Sequence, residues 1–97
     1  GSYQAMLERG IDMVVVEARL RFHAPARFDQ ELTMEVGVTR IGKTSISTLH
    51  RIRRAEDLVA QGTLHHVLVD RTSLTKTPVP DWIRTALDRW AVPAPTP

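Results

Sequence analysis

Ninety-seven residues, 42% hydrophobic and 25% charged, make one ordinary globular domain with no room for two cores. Thirteen Lys and Arg against eleven Asp and Glu leave a formal net charge of +2, too balanced for a polycation-type nucleic-acid binder. With no cysteine there are no disulfides, thiolate nucleophiles or Cys-based zinc sites, a usage that fits a reducing cytoplasm, and the apolar runs are too short and charge-broken to read as a transmembrane helix.

Gly1 and Ser2 read equally as a vector scar or as native residues. From Ser2 to Arg9 the spacing of Tyr3, Met6 and Leu7 predicts a helix of barely two turns, with Ser2 as N-cap and Gly10 ending it. So short a helix is stable only when packed on something. Next comes the stretch that organises the chain. Val14, Val16, Ala18, Leu20 and Phe22 alternate with Glu17, Arg19, Arg21 and His23, which predicts a long strand with one buried and one wet face. Pro25 ends it, lacking an N–H for the ladder. Ala24 to Gln30 forms a corner.

Glu31 to Ile41 is the second strand, with Leu32, Met34, Val36 and Val38 on one face. Ile41-Gly42-Lys43-Thr44 reads as a hairpin turn, with Gly42 free to take a positive φ. Ser45 to about Arg54 is the third strand, its Ile46, Thr48, His50 and Ile52 opposed to Ser47, Leu49, Arg51 and Arg53. Ala55-Glu56-Asp57 is a second tight turn. The fourth strand, Leu58 to Asp70, is apolar on both faces and so is central or covered at an interface. Gly62 in its middle predicts a bend, a bulge or a close neighbour.

Asp70 to Pro80 is a loop, and Pro78 and Pro80 stop any ladder. The last helix runs from Pro80 or Asp81 to about Trp90, with Trp82, Ile83, Ala86, Leu87 and Trp90 on its apolar face. The Pro-rich 91–97 is expected to be a frayed tail beyond a single domain of residues 1–90. A curved antiparallel sheet cannot cover its apolar face with two turns of helix, so a partner subunit or a further piece of chain is implied.

The order of these elements resembles the hotdog fold, in particular the acyl-CoA thioesterases similar to 4-hydroxybenzoyl-CoA thioesterase. The likeness is carried by Gly10-Ile11-Asp12, Val15-Val16-Glu17-Ala18 and Arg21-Phe22-His23-Ala24-Pro25-Ala26-Arg27-Phe28. It continues through Val38 to Ile46, Ala60-Gln61-Gly62-Thr63, Val69-Asp70 and Val79-Pro80. The resemblance implies an α+β architecture: a curved antiparallel sheet wrapped on a shortened central helix, plus a C-terminal helix. It implies hydrolysis of an acyl-CoA thioester to free acid and CoA in a homodimer or homotetramer, with CoA as part of the substrate and no separate cofactor. In that family a strand and the first half of the helix come before the point where this chain begins, and they supply the catalytic carboxylate. On that reading the chain is truncated at its N-terminus, the catalytic residues lie upstream, and the chain as given is an inactive fragment.

What the resemblance leaves in this chain is a binding half. It places Lys43, Thr44 and Ser45 near the acyl-CoA cleft, Arg71 and Lys76 near the CoA phosphates, and His23 at the cleft mouth. Read from chemistry alone, each has a plainer role. A His before Pro is a solvated strand end, Lys43 an exposed turn residue, and Glu17 a partner in an ion pair. His50 reads as partly buried and hydrogen-bonded. His65 and His66 point to opposite faces and cannot chelate one metal together. Ser45 and Ser47 show no His–Asp support in the sequence.

The alternative function is a non-catalytic oligomeric hotdog domain that binds acyl thioesters or serves only in assembly. A third class, nucleic-acid binding through Arg51, Arg53 and Arg54, lacks the interleaved aromatics that a stacking surface needs.

Overall fold

The computed structural model describes residues 2–25 and 30–95. Most of the predicted corner, with Arg27 and Phe28 of the family likeness, lies outside the described residues, as does the side chain of the expected Ser2 cap. Six elements follow in chain order: α1 (Ser2–Glu8), β1 (Ile11–Phe22), β2 (Thr33–Ile41), β3 (Ser45–Arg54), β4 (Asp57–Asp70) and α2 (Asp81–Asp88). The four strands form one antiparallel sheet in the order β1-β4-β3-β2. β4, apolar on both faces, is central as expected.

Gly10 ends α1 at φ 77°, a left-handed conformation that costs glycine little. Gly42 is different. Its φ is not positive; the missing side chain instead leaves room for Ser45, whose Oγ lies 2.5 Å from where a Cβ would sit. The left-handed residue at a hairpin is Ala55, at φ 53° in the β3–β4 turn.

Three of the ladders carry a one-residue irregularity, at Val16 in β1, Thr39 in β2 and Val59 in β4. The first of these corrects the reading of β1. Before the bulge Ile11, Met13 and Val15 share the face of Leu68 and His66; after it Ala18, Leu20 and Phe22 share the face of Leu64, Gly62 and Ala60. The even-numbered series from Val14 to Phe22 is therefore not one face, because a bulge inserts one residue and inverts the parity beyond it.

Both helices lie on this face, at one end of the sheet. Met6 of α1, Ile83 of α2 and Val79 close over Val38, Ile46 and Leu68 to form the core. The Arg9 guanidinium stacks 4.2 Å from the Trp82 ring, joining the two helix ends. The other end of the same face is bare. Leu20, Phe22 and Met34 stay 62%, 72% and 61% exposed, so the buried face expected from alternation is not buried within one chain.

Past the β2–β3 turn the chain returns into the slot β3 has vacated. Thr77 N–H donates to Leu68 O, Lys76 bridges Val69, and Val79 N–H donates to Lys43 O. The C-terminal segment also departs from expectation. Val38 N–H donates to Trp90 O at 2.8 Å and Val92 N–H to Val38 O at 2.9 Å, so this segment is a strap on the β2 edge, not a frayed tail. Val92 then fills the space over Gly37, where a Cβ would lie 2.5 Å from a Val92 methyl.

Candidate functional site

A cavity of about 130 Å³ opens between the helices and the sheet. Tyr3 and Met6 of α1, Ile83 and Leu87 of α2, and Met13, Val38 and Ile46 of three strands supply its apolar wall. Its polar wall comes from Thr48 and His66, cross-strand neighbours brought to the helix side by strand parity. The Thr48 Oγ1 lies 2.9 Å from His50 Nε2 and 3.2 Å from His66 Nε2. A hydroxyl has one proton and two lone pairs, so with both rings neutral it donates to one imidazole and accepts from the other. Burial, reinforced by the imidazoles of His50 and His65, holds the His66 pKa below its usual 6.5. His50 fits its reading as a partly buried, bonded residue. Nothing in the sequence marked Thr48 or His66 as a pair, because their meeting depends on the β3–β4 register.

Beside the cavity, Tyr3 Oη donates to Asp12 Oδ1 at 2.9 Å, and the Met13 N–H donates to the same oxygen at 2.7 Å. The Met13 N–H and then the Tyr3 hydroxyl hold the Asp12 carboxyl below the usual range, while Asp12 raises the Tyr3 pKa in turn. Asp12 is thus a fixed, ionised carboxylate. No described carboxylate lines the cavity itself.

The predicted site residues divide between the two ends of the sheet. Lys43 and Thr44 lie in the β2–β3 turn and Ser45 opens β3, the turn being tied to the end of β4 by Leu68 N–H donating to Thr44 O. Lys76 lies on the adjacent return strand. Arg71 sits at the same end, its guanidinium donating to Leu7 O at 3.2 Å and its backbone N–H to Gly10 O. These five residues are brought to one end, and Lys43, Arg71 and Lys76 keep their charges exposed there. His23 is not with them. Its backbone N–H donates to Val59 O, and at roughly 3.3 Å per strand residue that end of β4 is about 35 Å away from Asp70. There His23 lines an open groove with Arg19, Arg21, Gln61, Thr63 and Pro95.

The outer face holds a chain of bonds that sequence reading missed. Ser47 Oγ lies 2.6 Å from His65 Nδ1, and His65 Nε2 lies 3.4 Å from Glu17 Oε1. Arg19 meets the same carboxylate oxygen at 3.3 Å. The Val16 bulge brings Glu17 opposite His65, so linear spacing could not reveal the contact. Ser47 does have histidine and carboxylate support, contrary to expectation, but it is buried and neither cavity opens on it. The arrangement ties β1, β4 and β3 together instead of presenting a nucleophile.

The arginine cluster on β3 is engaged internally. Arg51 donates to Gln61, Arg53 pairs with Glu35, and Arg54 donates to Pro25 O and pairs with Asp57. Arg53 and Arg54 thus have carboxylate partners, while Arg51 bonds the neutral amide of Gln61. Among the described residues no three His, Asp or Glu side chains converge as metal ligands, and no helix is long and apolar enough to cross a membrane.

Comparison with known proteins places these features in a family. The chain is similar to a solved structure of a 1,4-dihydroxy-2-naphthoyl-CoA thioesterase from Synechocystis, with 26% identity and a TM-score of 0.76, covering 89% of this chain and 65% of that one. A protein of Pseudomonas aeruginosa matches at 25% identity and TM-score 0.78, over 95% of this chain and 71% of its own. A thioesterase-superfamily structure from Jannaschia, at 19% identity, shares the fold with a TM-score of 0.83, over 93% of this chain and 62% of that one. The chain thus spans between 62% and 71% of the length of these structures. None of the curated proteins matches it at a significant level. The fold is the hotdog fold, an antiparallel sheet carrying its helices on one face. Residues 1–87 match the thioesterase-like superfamily across all six elements but the end of α2, and the chain belongs to that superfamily.

Proposed function

We propose that this protein acts in acyl-CoA thioester hydrolysis, yielding a free acid and CoA. The observation that carries the reading is the superfamily match over residues 1–87. Two features of the surface support it. The bare end of the helix-side face, with Leu20, Phe22, Met34 and Val36, is an apolar floor of the kind that binds an acyl group once a second subunit covers it. The exposed cations Lys43, Arg71 and Lys76, with Thr44 and Ser45 in the adjoining turn, suit the phosphates of CoA. His23 lies with Arg19, Arg21, Gln61 and Thr63 in the open groove at the far end of the sheet, apart from the cationic end, and is given no contact with CoA on this reading.

On this reading the protein works as a homodimer or homotetramer in the cytoplasm. Thioester hydrolysis needs only water, a proton acceptor and stabilisation of the developing oxyanion, so no metal or redox cofactor is invoked. The test is thiol release from a panel of short, long and aromatic acyl-CoAs, followed with a thiol-reactive dye. Saturable release that weakens on Lys43→Ala with Arg71→Ala, chiefly through KM, is expected. A folded protein that releases no thiol from any of them overturns it. The second reading, a non-catalytic oligomeric domain, is favoured by one observation: the cavity wall carries one imidazole and two hydroxyls but no carboxylate.

A further inference from the structure

The open groove at the far end of the sheet takes no part in the hydrolysis described above, and it has a chemistry of its own. Strand register sets it. Arg19 lies opposite Thr63 and Arg21 opposite Gln61, so these side chains share one face, the one turned away from both helices. The C-terminal segment supplies a wall. Val92 sits over Gly37, and Pro95 beside Gln61 and Thr63. Gly37 pairs with Leu49, and Leu49 with Thr63. Residues 92–95 therefore cross the outer face from β2 to β4 and cover Leu49, which is 3% exposed. The crossing turns a flat strand surface into a groove of about 590 Å³, within the range that takes small ligands.

The lining is cationic. Arg19, Arg21 and His23 stand at alternate positions of one extended segment, and among the described residues no Asp or Glu lines the groove with them. Arg21 is exposed and has no hydrogen-bond or ion-pair partner among the described residues. Arg19 meets Glu17 at 3.3 Å, but its side chain is 78% exposed, so the pair is a weak one that a better anion can replace. Gln61 Oε1 accepts from Arg51 Nε at 3.1 Å, which leaves the Gln61 amide nitrogen to donate. Thr63 adds a hydroxyl. Each polar side chain along the groove can thus donate, and none has to accept. Two guanidiniums about 7 Å apart along a strand, each a planar fork, suit phosphoryl oxygens better than one carboxylate.

We propose that this groove binds a small phosphorylated molecule through Arg19 and Arg21, with Gln61 and Thr63 donating to the same phosphoryl oxygens. The site stands apart from thioester hydrolysis. At roughly 3.3 Å per residue, Thr63 is about 23 Å along β4 from Asp70, where the cations assigned to CoA begin. Neither assignment depends on the other.

Calorimetric titration of the full chain with inorganic pyrophosphate, inorganic phosphate and acetate tests it, at about 20 mM salt and again at about 150 mM. Pyrophosphate is expected to bind saturably and phosphate more weakly, both loosening at the higher salt, while acetate gives no saturable heat. Arg21→Gln should weaken pyrophosphate about tenfold, the loss of one charge-assisted hydrogen bond at an open site. Lys43→Ala with Arg71→Ala should leave it within about twofold. Glu17→Gln frees Arg19 from its carboxylate and should tighten binding about threefold, a gain that a misfolded variant cannot imitate. A protein that takes up no pyrophosphate at millimolar concentration and low salt overturns the assignment. Binding that survives Arg21→Gln but is lost with Lys43 and Arg71 overturns it too, moving the anion to the CoA end. So does co-sedimentation with phosphatidic acid vesicles by a protein that ignores pyrophosphate, which gives the cations to a lipid surface.

Discussion

Gly62 is the position where a single added carbon should tell most about how the sheet is held. It pairs with Leu20 on one side and His50 on the other, in the middle of the central strand. A Cβ there would lie 2.9 Å from the backbone oxygen of Arg19 and 3.2 Å from Leu20 Cδ1. Leu20 can turn away, because its side chain is largely exposed. The Arg19 carbonyl cannot, because it belongs to the β1 backbone. Overpacking of this kind costs about 1–3 kcal/mol, and the lost flexibility of glycine returns about 0.5–1 kcal/mol. Gly62→Ala should therefore destabilise the protein by about 1 kcal/mol, lowering the melting temperature by about 4–8 °C in a domain of this size. Thermal unfolding followed by circular dichroism measures it, and amide exchange in β1 should quicken at Arg19 and its neighbours. Adding Leu20→Ala separates the two contacts: the loss should persist, since the backbone clash remains. A melting temperature at or above the parent's would refute the close approach of β1 to β4 at this point.

Ala55→Gly should stabilise the β3–β4 turn, relieving a left-handed alanine at φ 53° worth about 1 kcal/mol; urea unfolding should show a higher midpoint with unchanged slope. Gly37→Val should push the strap off β2 through its clash with Val92, at a cost of about 1–3 kcal/mol, and the amides of Val38 and Val92 should exchange faster in hydrogen-exchange mass spectrometry. His66 gives a pH signature. Its folded pKa lies below the unfolded value of 6.5, so the unfolded chain takes the proton first and stability falls as pH drops from about 6.5 toward the folded pKa. His66→Gln should flatten that slope in denaturant midpoints between pH 7 and pH 5; a slope unchanged by the substitution would place the titration elsewhere.

The strands, the short opening helix, the Gly10 stop and the apolar face of α2 were legible because each rests on local periodicity or local backbone chemistry. The close neighbour foreseen at Gly62 is the Arg19 carbonyl. The bulge at Val16 was not legible, because Val14, Val15 and Val16 are all valine and any of them could have been the extra residue. With the bulge hidden, the inward face of β1 was read wrongly and the meeting of Glu17 with His65 could not be foreseen. Alternation also says which residues share a face but not whether anything covers it, so Phe22 and Met34 looked buried. The strap was missed for a different reason. Proline removes donors from residues 93, 95 and 97 only, and the bonds that matter use Trp90 O and Val92 N–H. Of the site residues, sequence neighbours such as Lys43, Thr44 and Ser45 necessarily stay together. Whether His23 joins Arg71 depends on the length of one strand.

The strap has a consequence for how copies of this protein can meet. Val38 points its N–H and its C=O away from β3, and the strap occupies both, which breaks the outer margin of β2 into short stretches. β1, by contrast, offers a margin of twelve residues with β4 bonded on its inner side alone. A sheet with two long open margins can add copies head to tail without end, as fibrils do. A sheet with one can join a second copy only through a twofold axis, and the union uses up the margin that made it. Three residues placed beside Val38, Trp90 to Val92, thus interrupt one margin of the sheet and leave the other whole.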